Sequence, residues 1–282
     1  MPQFIDTPNP PTFHSSQTFK KNASQRFISV EIEVASTVNR SNAKTYEAVK
    51  ALGGGIVHDG SLPCDGFEIN TPPAQGDVFV EQITQICDAL KQDGAKVTQS
   101  CGLHVHVDSR DMGFYDLRKL AFLYQKLEPA LFSIVAPSRK LNHYCVPCGD
   151  KLVANLKNPG SFKQNKEQLC LNVYGRAPDM TRIKRSKYDN ARYSALNLHS
   201  YLYRGSIENR VFNGTTNATK IINWGILNAA MIDFACEASE TEITALTTNP
   251  LQTLMLVAPD NEIKEWIVNR VRKFNNGQED ID

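Results

Sequence analysis

The sequence carries almost no net charge: 31 Lys and Arg stand against 30 Asp and Glu in 282 residues. So even a balance offers no basic field for nucleic acid and no polybasic stretch for an anionic membrane surface. No apolar run approaches the roughly 20 residues that a membrane-spanning helix needs. Cysteines are few, odd in number and scattered, seven in all. That excludes a fully paired disulfide framework and fits reduced thiols in a cytosol. The opening stretch, MPQFIDTPNPPTFHSSQTFKKNASQR, lacks the apolar core of a secretory signal, so a cytoplasmic location is expected. The NAS, NGT and NAT triplets, which match the glycosylation pattern, carry no weight without export. Repeats, low-complexity tracts and an obvious interdomain linker are missing as well.

What is there is an ordinary globular composition, 41% hydrophobic and 22% charged. The length suits one large domain or two small ones, each able to bury a core. Residues 1–26 read as a flexible N-terminal arm, 27–275 as one domain, and 276–282 as a tail. FISVEIEVAS alternates as a half-buried strand, with Val30, Ile32 and Val34 on one face and Glu31 and Glu33 on the other. SNAKTYEAVKALGGG predicts a helix stopped at Gly53. GGIVHDG and GFEINTPP predict two short strands around a turn. DVFVEQITQICDALKQDG has apolar residues at helical spacing and ends at Gly94. The strand CGLHVHVDSR follows, then a long amphipathic helix containing Pro129. Residues 138–190 are irregular and rich in Lys and Arg, which suggests a lid. RYSALNLHS and RGSIENRVFNG return to strand pattern. The rest is helical, and NATKIINWGILNAAMIDFACEAS is apolar enough to pack across a sheet.

The polar faces of these strands repeat one theme. The first offers Glu31 and Glu33, the next pair Asp59 and Glu68, the third His104 and His106, the last Glu208 and Arg210. One such pair alone is ordinarily the solvated side of a sheet. Four in one sheet would turn up to five carboxylates toward a common space, a charge that burial does not tolerate uncompensated. Hard divalent cations are the natural remedy, and Mg²⁺ prefers carboxylate oxygens. Same-face neighbours on a strand lie roughly 6.5–7 Å apart, a spacing that suits two cations better than one. A site dominated by His and Cys would have pointed to zinc. CVPC, with Cys145 and Cys148 after His143, supplies half a zinc site, and Cys101 or Cys170 would have to complete it.

In order, EIE, DGSL…GFEINTPP, CGLHVH and RYSALNLHS…GSIENRVFNGTTN resemble the amidoligase family, over roughly residues 27–235. That family is similar to glutamine synthetase and glutamate–cysteine ligase in its catalytic fold. SCGLHVH looks like the His-x-His strand of glutamine synthetases. The resemblance implies an α+β fold of glutamine synthetase-like type. Its curved, mainly antiparallel sheet would line a funnel, with helices packed on the outer face and two or three Mg²⁺ or Mn²⁺ ions inside. It implies Glu33, Asp59 and Glu68 as ligands of the cation near the acyl substrate. Glu31, His104 and Glu208 would hold the cation on the ATP phosphates, with His106 nearby. Arg210 would steady the transferred phosphoryl group, and Arg192 and Asn197 would contact substrate or phosphate. Asp59 stands where ligases of this fold often carry Glu, and its reach is shorter. In the basic run RIKRSKYDNAR, Arg182, Lys184, Arg185 and Lys187 would meet an anionic ligand.

The implied reaction is ATP-dependent joining of a carboxylate and an amine through an acyl phosphate, catalysed with Arg210, Arg192 and Glu208. Phosphate charge develops in both steps, where cations and Arg stabilise it, and a lid would keep water from the intermediate. Two other readings stay open: a metal-dependent hydrolase built on the same Glu/Asp/His cluster, and a non-catalytic binding module of the same fold. Partners are then an acid and an amine of unstated identity, in a monomer or an oligomer. Neither membrane nor nucleic acid is expected.

Overall fold

The structure, a computed structural model, describes residues 1–6, 26–156, 162–177 and 179–275. Residues 7–25 of the expected arm and the tail at 276–282 lie outside the described residues. Six strands form one sheet: β1 (Ile28–Val34), β2 (Gly55–Val57), β3 (Phe67–Asn70), β4 (Leu103–Asp108), β5 (Leu196–Asn197) and β6 (Ser206–Asn209), in the order β2-β3-β1-β4-β6-β5. Every neighbouring pair is antiparallel. Because side chains alternate along a strand, this register sorts the sheet into two faces. Val30, Ile32, Ile69, Leu103, Val105 and Ile207 fall on one, all fully or almost fully buried. Glu31, Glu33, Glu68, His104, His106 and Glu208 fall on the other. Glu31 lies opposite His104, Glu33 opposite Glu68, and His106 opposite Glu208.

Helices cover the apolar face. α1 (Ala43–Leu52) ends at Gly53, whose φ of +75° is the left-handed stop predicted from the sequence. α2 (Gly76–Gln92) and α3 (Phe114–Ser133) flank α8 (Ala218–Glu237), which lies across β4 and β1. The buried residues of α2, Phe79, Ile83, Ile86 and Leu90, recur at three- and four-residue spacing, the stripe of a helix against a core. α8 buries residues on most of its circumference, as a central helix must. Pro129 sits inside α3, which runs on to Ser133. α9 (Glu240–Ala245), α10 (Pro250–Val257) and α11 (Asn261–Asn275) close the chain, α10 against α3. No helix among the described residues is long and apolar enough to cross a membrane.

Three segments differ from the expectation. Residues 138–190 are not irregular throughout: they contain a 3-10 turn at Pro137–Leu141, α4 (Gly149–Val153), α5 (Phe162–Tyr174) and α6 (Met180–Ile183). Three of these, of four or five residues each, are too short to show a helical period in sequence. RYSALNLHS is a strand only at Leu196–Asn197 and then turns into α7 (Leu198–Arg204). The Asn197 side chain accepts from the Ser200 amide and caps the helix, and Gly205 at φ +83° ends it. At the N-terminus, Ile5 and Ile56 exchange two backbone hydrogen bonds of 2.9 Å, so that residue is paired against the outer edge of β2 rather than loose.

Candidate functional site

The polar face of the sheet is the floor of a pocket of about 380 Å³. Its walls come from α7, the β2–β3 turn, and the segments around Tyr144 and Tyr188. Five carboxylates line it, Glu31, Glu33, Asp59, Glu68 and Glu208, together with five permanent cations, Arg139, Lys187, Arg192, Arg204 and Arg210.

Two groups of ligand-type atoms form within this floor. Glu31, His104 and Glu208 make the first, and Glu33, Glu68 and His104 the second, each with donor atoms inside 4.8 Å of one another. His104 belongs to both. Its Nδ1 lies 2.9 Å from Glu31 Oε2 and 3.9 Å from Glu208 Oε1, while Nε2 lies 3.6 Å from Glu33 Oε1. The ring reaches this position because residue 102 is a glycine: a Cβ there would stand 2.9 Å from His104 Nε2. The Gly102 amide also donates to Glu33 Oε2 at 2.6 Å.

Electrostatics separate the carboxylates. Burial opposes the charge on Glu31, yet His106 and His104 hold its carboxyl well below the usual range. Burial likewise opposes Glu208, but the adjoining Arg210 guanidinium outweighs it and brings the carboxyl down to about 2. Glu68 goes the other way. Burial, then the charges of Glu31 and Glu33, push it well above the ordinary value, with only Asn70 Nδ2 donating to it at 2.9 Å. Burial also raises Glu33, in part offset by His104. A carboxylate crowd short of positive charge at Glu68 and Glu33 is what a hard divalent cation fits, and oxygen donors with a single imidazole suit Mg²⁺ or Mn²⁺ better than zinc. In the first cluster the ligands for such an ion would be Glu31, His104 and Glu208. In the second they would be Glu33 and Glu68.

Arg210 is fixed on two sides: Nε donates to the Tyr144 carbonyl at 3.0 Å, and Nη1 pairs with Glu208 Oε1. Asn197 Nδ2 donates to the other Glu208 oxygen at 2.5 Å. Arg192 lies against the Tyr188 and Tyr193 rings, 5.1 and 4.8 Å from their centroids, and donates to Tyr193 Oη at 2.8 Å.

The structure therefore brings Glu31, Glu33, Glu68, His104, Glu208, Arg210, Arg192 and Asn197 to one pocket. Asp59 lines the pocket but is outside both clusters, its Oδ1 engaged by the Ser61 amide at 2.7 Å. His106 does not reach the pocket wall. It is buried behind Glu31 and Arg204, with Nδ1 3.2 Å from Ser206 Oγ. Lys184 and Arg185 stand exposed after α6, away from the pocket, and Arg182 lines a neighbouring cavity. Of that basic run only Lys187 and Arg192 arrive. Cys145 and Cys148 belong to no cluster of ligand atoms among the described residues. Burial raises both thiols, which keeps them neutral.

Sequence reasoning missed Arg139 and Arg204. Arg139, 2% exposed, donates to the Arg210 and Val211 carbonyls at 2.8 and 3.2 Å. Arg204 donates to His106 Nε2 at 3.0 Å and lies 3.5 Å from Glu31 Oε1. Arg204 follows Ser200 by four residues and Asn197 by seven. Helical spacing would have put it on the pocket side, had α7 been read as a helix.

A family model described as "Putative amidoligase enzyme" matches residues 14–232. No curated protein matches the sequence. Among solved structures, the "crystal structure of novel glutamine synthase homolog" is similar at 14% identity and a TM-score of 0.42, over 89% of this chain. The chain spans 66% of that protein, slightly under two thirds of its length.

Proposed function

The chain belongs to the amidoligase family, and from that premise we propose that it is an ATP-dependent carboxylate–amine ligase. The observation that carries the reading is the pair of carboxylate–imidazole clusters beside an anchored Arg210 in one pocket. In the first step an oxygen of the acid substrate attacks the γ-phosphorus of ATP and ADP leaves, giving an acyl phosphate. In the second the amine nitrogen attacks the acyl carbon, the carbon–oxygen bond to phosphate breaks, the nitrogen gives up a proton that leaves with the phosphate, and the amide departs. Bound Mg²⁺ or Mn²⁺ would supply neutralisation of the phosphate oxygens.

The chain's own groups have distinct tasks. Arg210 faces the developing phosphoryl charge, and its anchors at Tyr144 and Glu208 keep it from needing to reorganise. Arg192 and Lys187 offer further positive charge at the rim. Asn197 orients Glu208, and Arg204 braces Glu31 and His106. Tyr144, Tyr188, Tyr193 and Tyr203 line the pocket, and their rings take up space that water able to hydrolyse an acyl phosphate would otherwise fill. A hydrolase reading has less support, because carboxylates outnumber imidazoles in both clusters. A non-catalytic module would have lost ligands that are all competent side chains here.

The test is phosphate release from ATP and Mg²⁺ in the presence of pooled acids and amines. Release that requires both substrates supports the ligase, and Glu33→Ala should abolish it with the fold intact. Bond cleavage without ATP, or no nucleotide binding at all, would overturn the reading.

A further inference from the structure

A second cavity, about 630 Å³, opens beside the catalytic pocket. The two share Tyr188 and Tyr193 as a common wall, and Arg192 is clamped against both rings on the catalytic side. Three cations line the second cavity, Lys151, Arg176 and Arg182, against one acid, Asp189. Asp189 is already engaged. One oxygen accepts from the Ala191 amide at 2.9 Å and the other lies 3.5 Å from Arg176. Lys151 is held by the Val173 carbonyl at 3.1 Å, a neutral partner that leaves its charge uncompensated. Among the described residues no acid pairs with Lys151 or Arg182. The chain as a whole is nearly neutral, so this local excess is not a by-product of a basic protein.

We propose that this cavity holds the part of the acid substrate that flanks the reacting carboxylate, and that the flanking part is an acidic peptide. The inference deepens the ligase reading and rests on it. A carboxylate activated on the catalytic side has to be attached to something, and the second cavity adjoins that side at Tyr188 and Tyr193. The cavity exceeds what a single small acid needs, falling within the ~300–1,000 Å³ that holds a drug-sized ligand. Its cations select negative charge, and its apolar members, Pro147 and Val173, would pack the methylene groups of glutamyl side chains. A nucleic acid would match the charge but brings no carboxylate to activate. A peptide with several carboxylates supplies both the reacting group and the flanking anions.

The experiment measures binding of fluorescein-labelled tetraglutamate by anisotropy to the full chain without nucleotide. Tetraglutamine and N-acetylglutamate serve as competitors, and ATP–Mg²⁺ binding is measured separately. Tetraglutamate should bind at least tenfold more tightly than either competitor and weaken as salt rises. The exposed pair Lys151→Glu with Arg182→Glu should reduce that binding at least tenfold and leave ATP binding and the melting temperature unchanged. Lys151→Gln with Arg182→Gln should give an intermediate loss. Equal binding of tetraglutamate and tetraglutamine, or unchanged binding in the charge-reversed protein, overturns the proposal. Displacement by tripolyphosphate at lower concentration than by unlabelled tetraglutamate also overturns it, in favour of a phosphate site. Failure of the wild type to bind ATP sinks the ligase reading instead, and the peptide measurement reads the cavity independently of that result.

Discussion

Glu68 is half-buried among other carboxylates, with Asn70 donating to it, and its carboxyl therefore keeps a proton to higher pH than usual. A cation entering the second cluster must displace that proton. The sign follows: affinity for Mg²⁺ rises with pH through the raised carboxyl range and levels off above it. Calorimetry in buffers of different ionisation heat should show proton release on Mg²⁺ binding, and Glu68→Gln should reduce it, leaving the part that Glu33 supplies. Arg210 makes a second residue-level case. Arg210→Ala removes the group that keeps Glu208 ionised and faces the phosphoryl charge, so turnover should fall about 10²–10³-fold. Nucleotide affinity should change much less, which separates kcat from binding. Glu31, Glu33, His104, Glu208 and Arg210 were legible in the sequence because strand alternation exposes them as pairs. Arg139 and Arg204 were not, since a 3-10 turn and a helix bring them to the pocket from outside the sheet. Lys184 and Arg185 misled for the opposite reason: a basic run looks the same whether it faces a ligand or water.

At the level of elements, the passage from α7 to β6 sets the position of Glu208. Gly205 makes that turn at φ +83°, and a Cβ there would stand 2.5 Å from Arg110 Cγ. Gly205→Ala should cost about 1–3 kcal/mol from backbone strain alone, read as a lower urea midpoint at unchanged slope. Activity should fall further than stability, because β6 carries Glu208 two residues beyond the strand's first residue. The long strands and helices were readable from periodicity. α7 was not, because LNLHS alternates like a strand over too few residues. Its helix depends on the Asn197 cap and the Gly205 stop rather than on an apolar stripe. α4 and α6, with five and four residues, show no period at all.

The whole molecule is tied at Arg26, a 3% exposed guanidinium that joins the entry of β1 to the β4–α3 turn and to α8. It pairs with Asp111 at 2.7 Å and Asp233 at 2.5 Å and donates to the Asp108 carbonyl at 2.9 Å. Arg26→Met leaves two acids without their counter-charge and should cost about 3–5 kcal/mol. The deficit should shrink as pH falls, since burial already raises the Asp233 carboxyl and, once protonated, it no longer needs the partner. Thermal melts of both proteins across pH 4–8 measure it. Such long-range ties, like the strand order β2-β3-β1-β4-β6-β5, join residues far apart in sequence and leave no local pattern, and the α+β class with its antiparallel sheet was expected through the family resemblance. One consequence concerns the margins of the sheet. On one side the outward-pointing amide and carbonyl of Ile56 are both taken by Ile5, and on the other Val146 bridges Tyr193 and Ala195 beside β5. Among the described residues these contacts occupy backbone groups at both borders that would otherwise start pairing with another strand. A strand added at either place would first have to displace Ile5 or Val146.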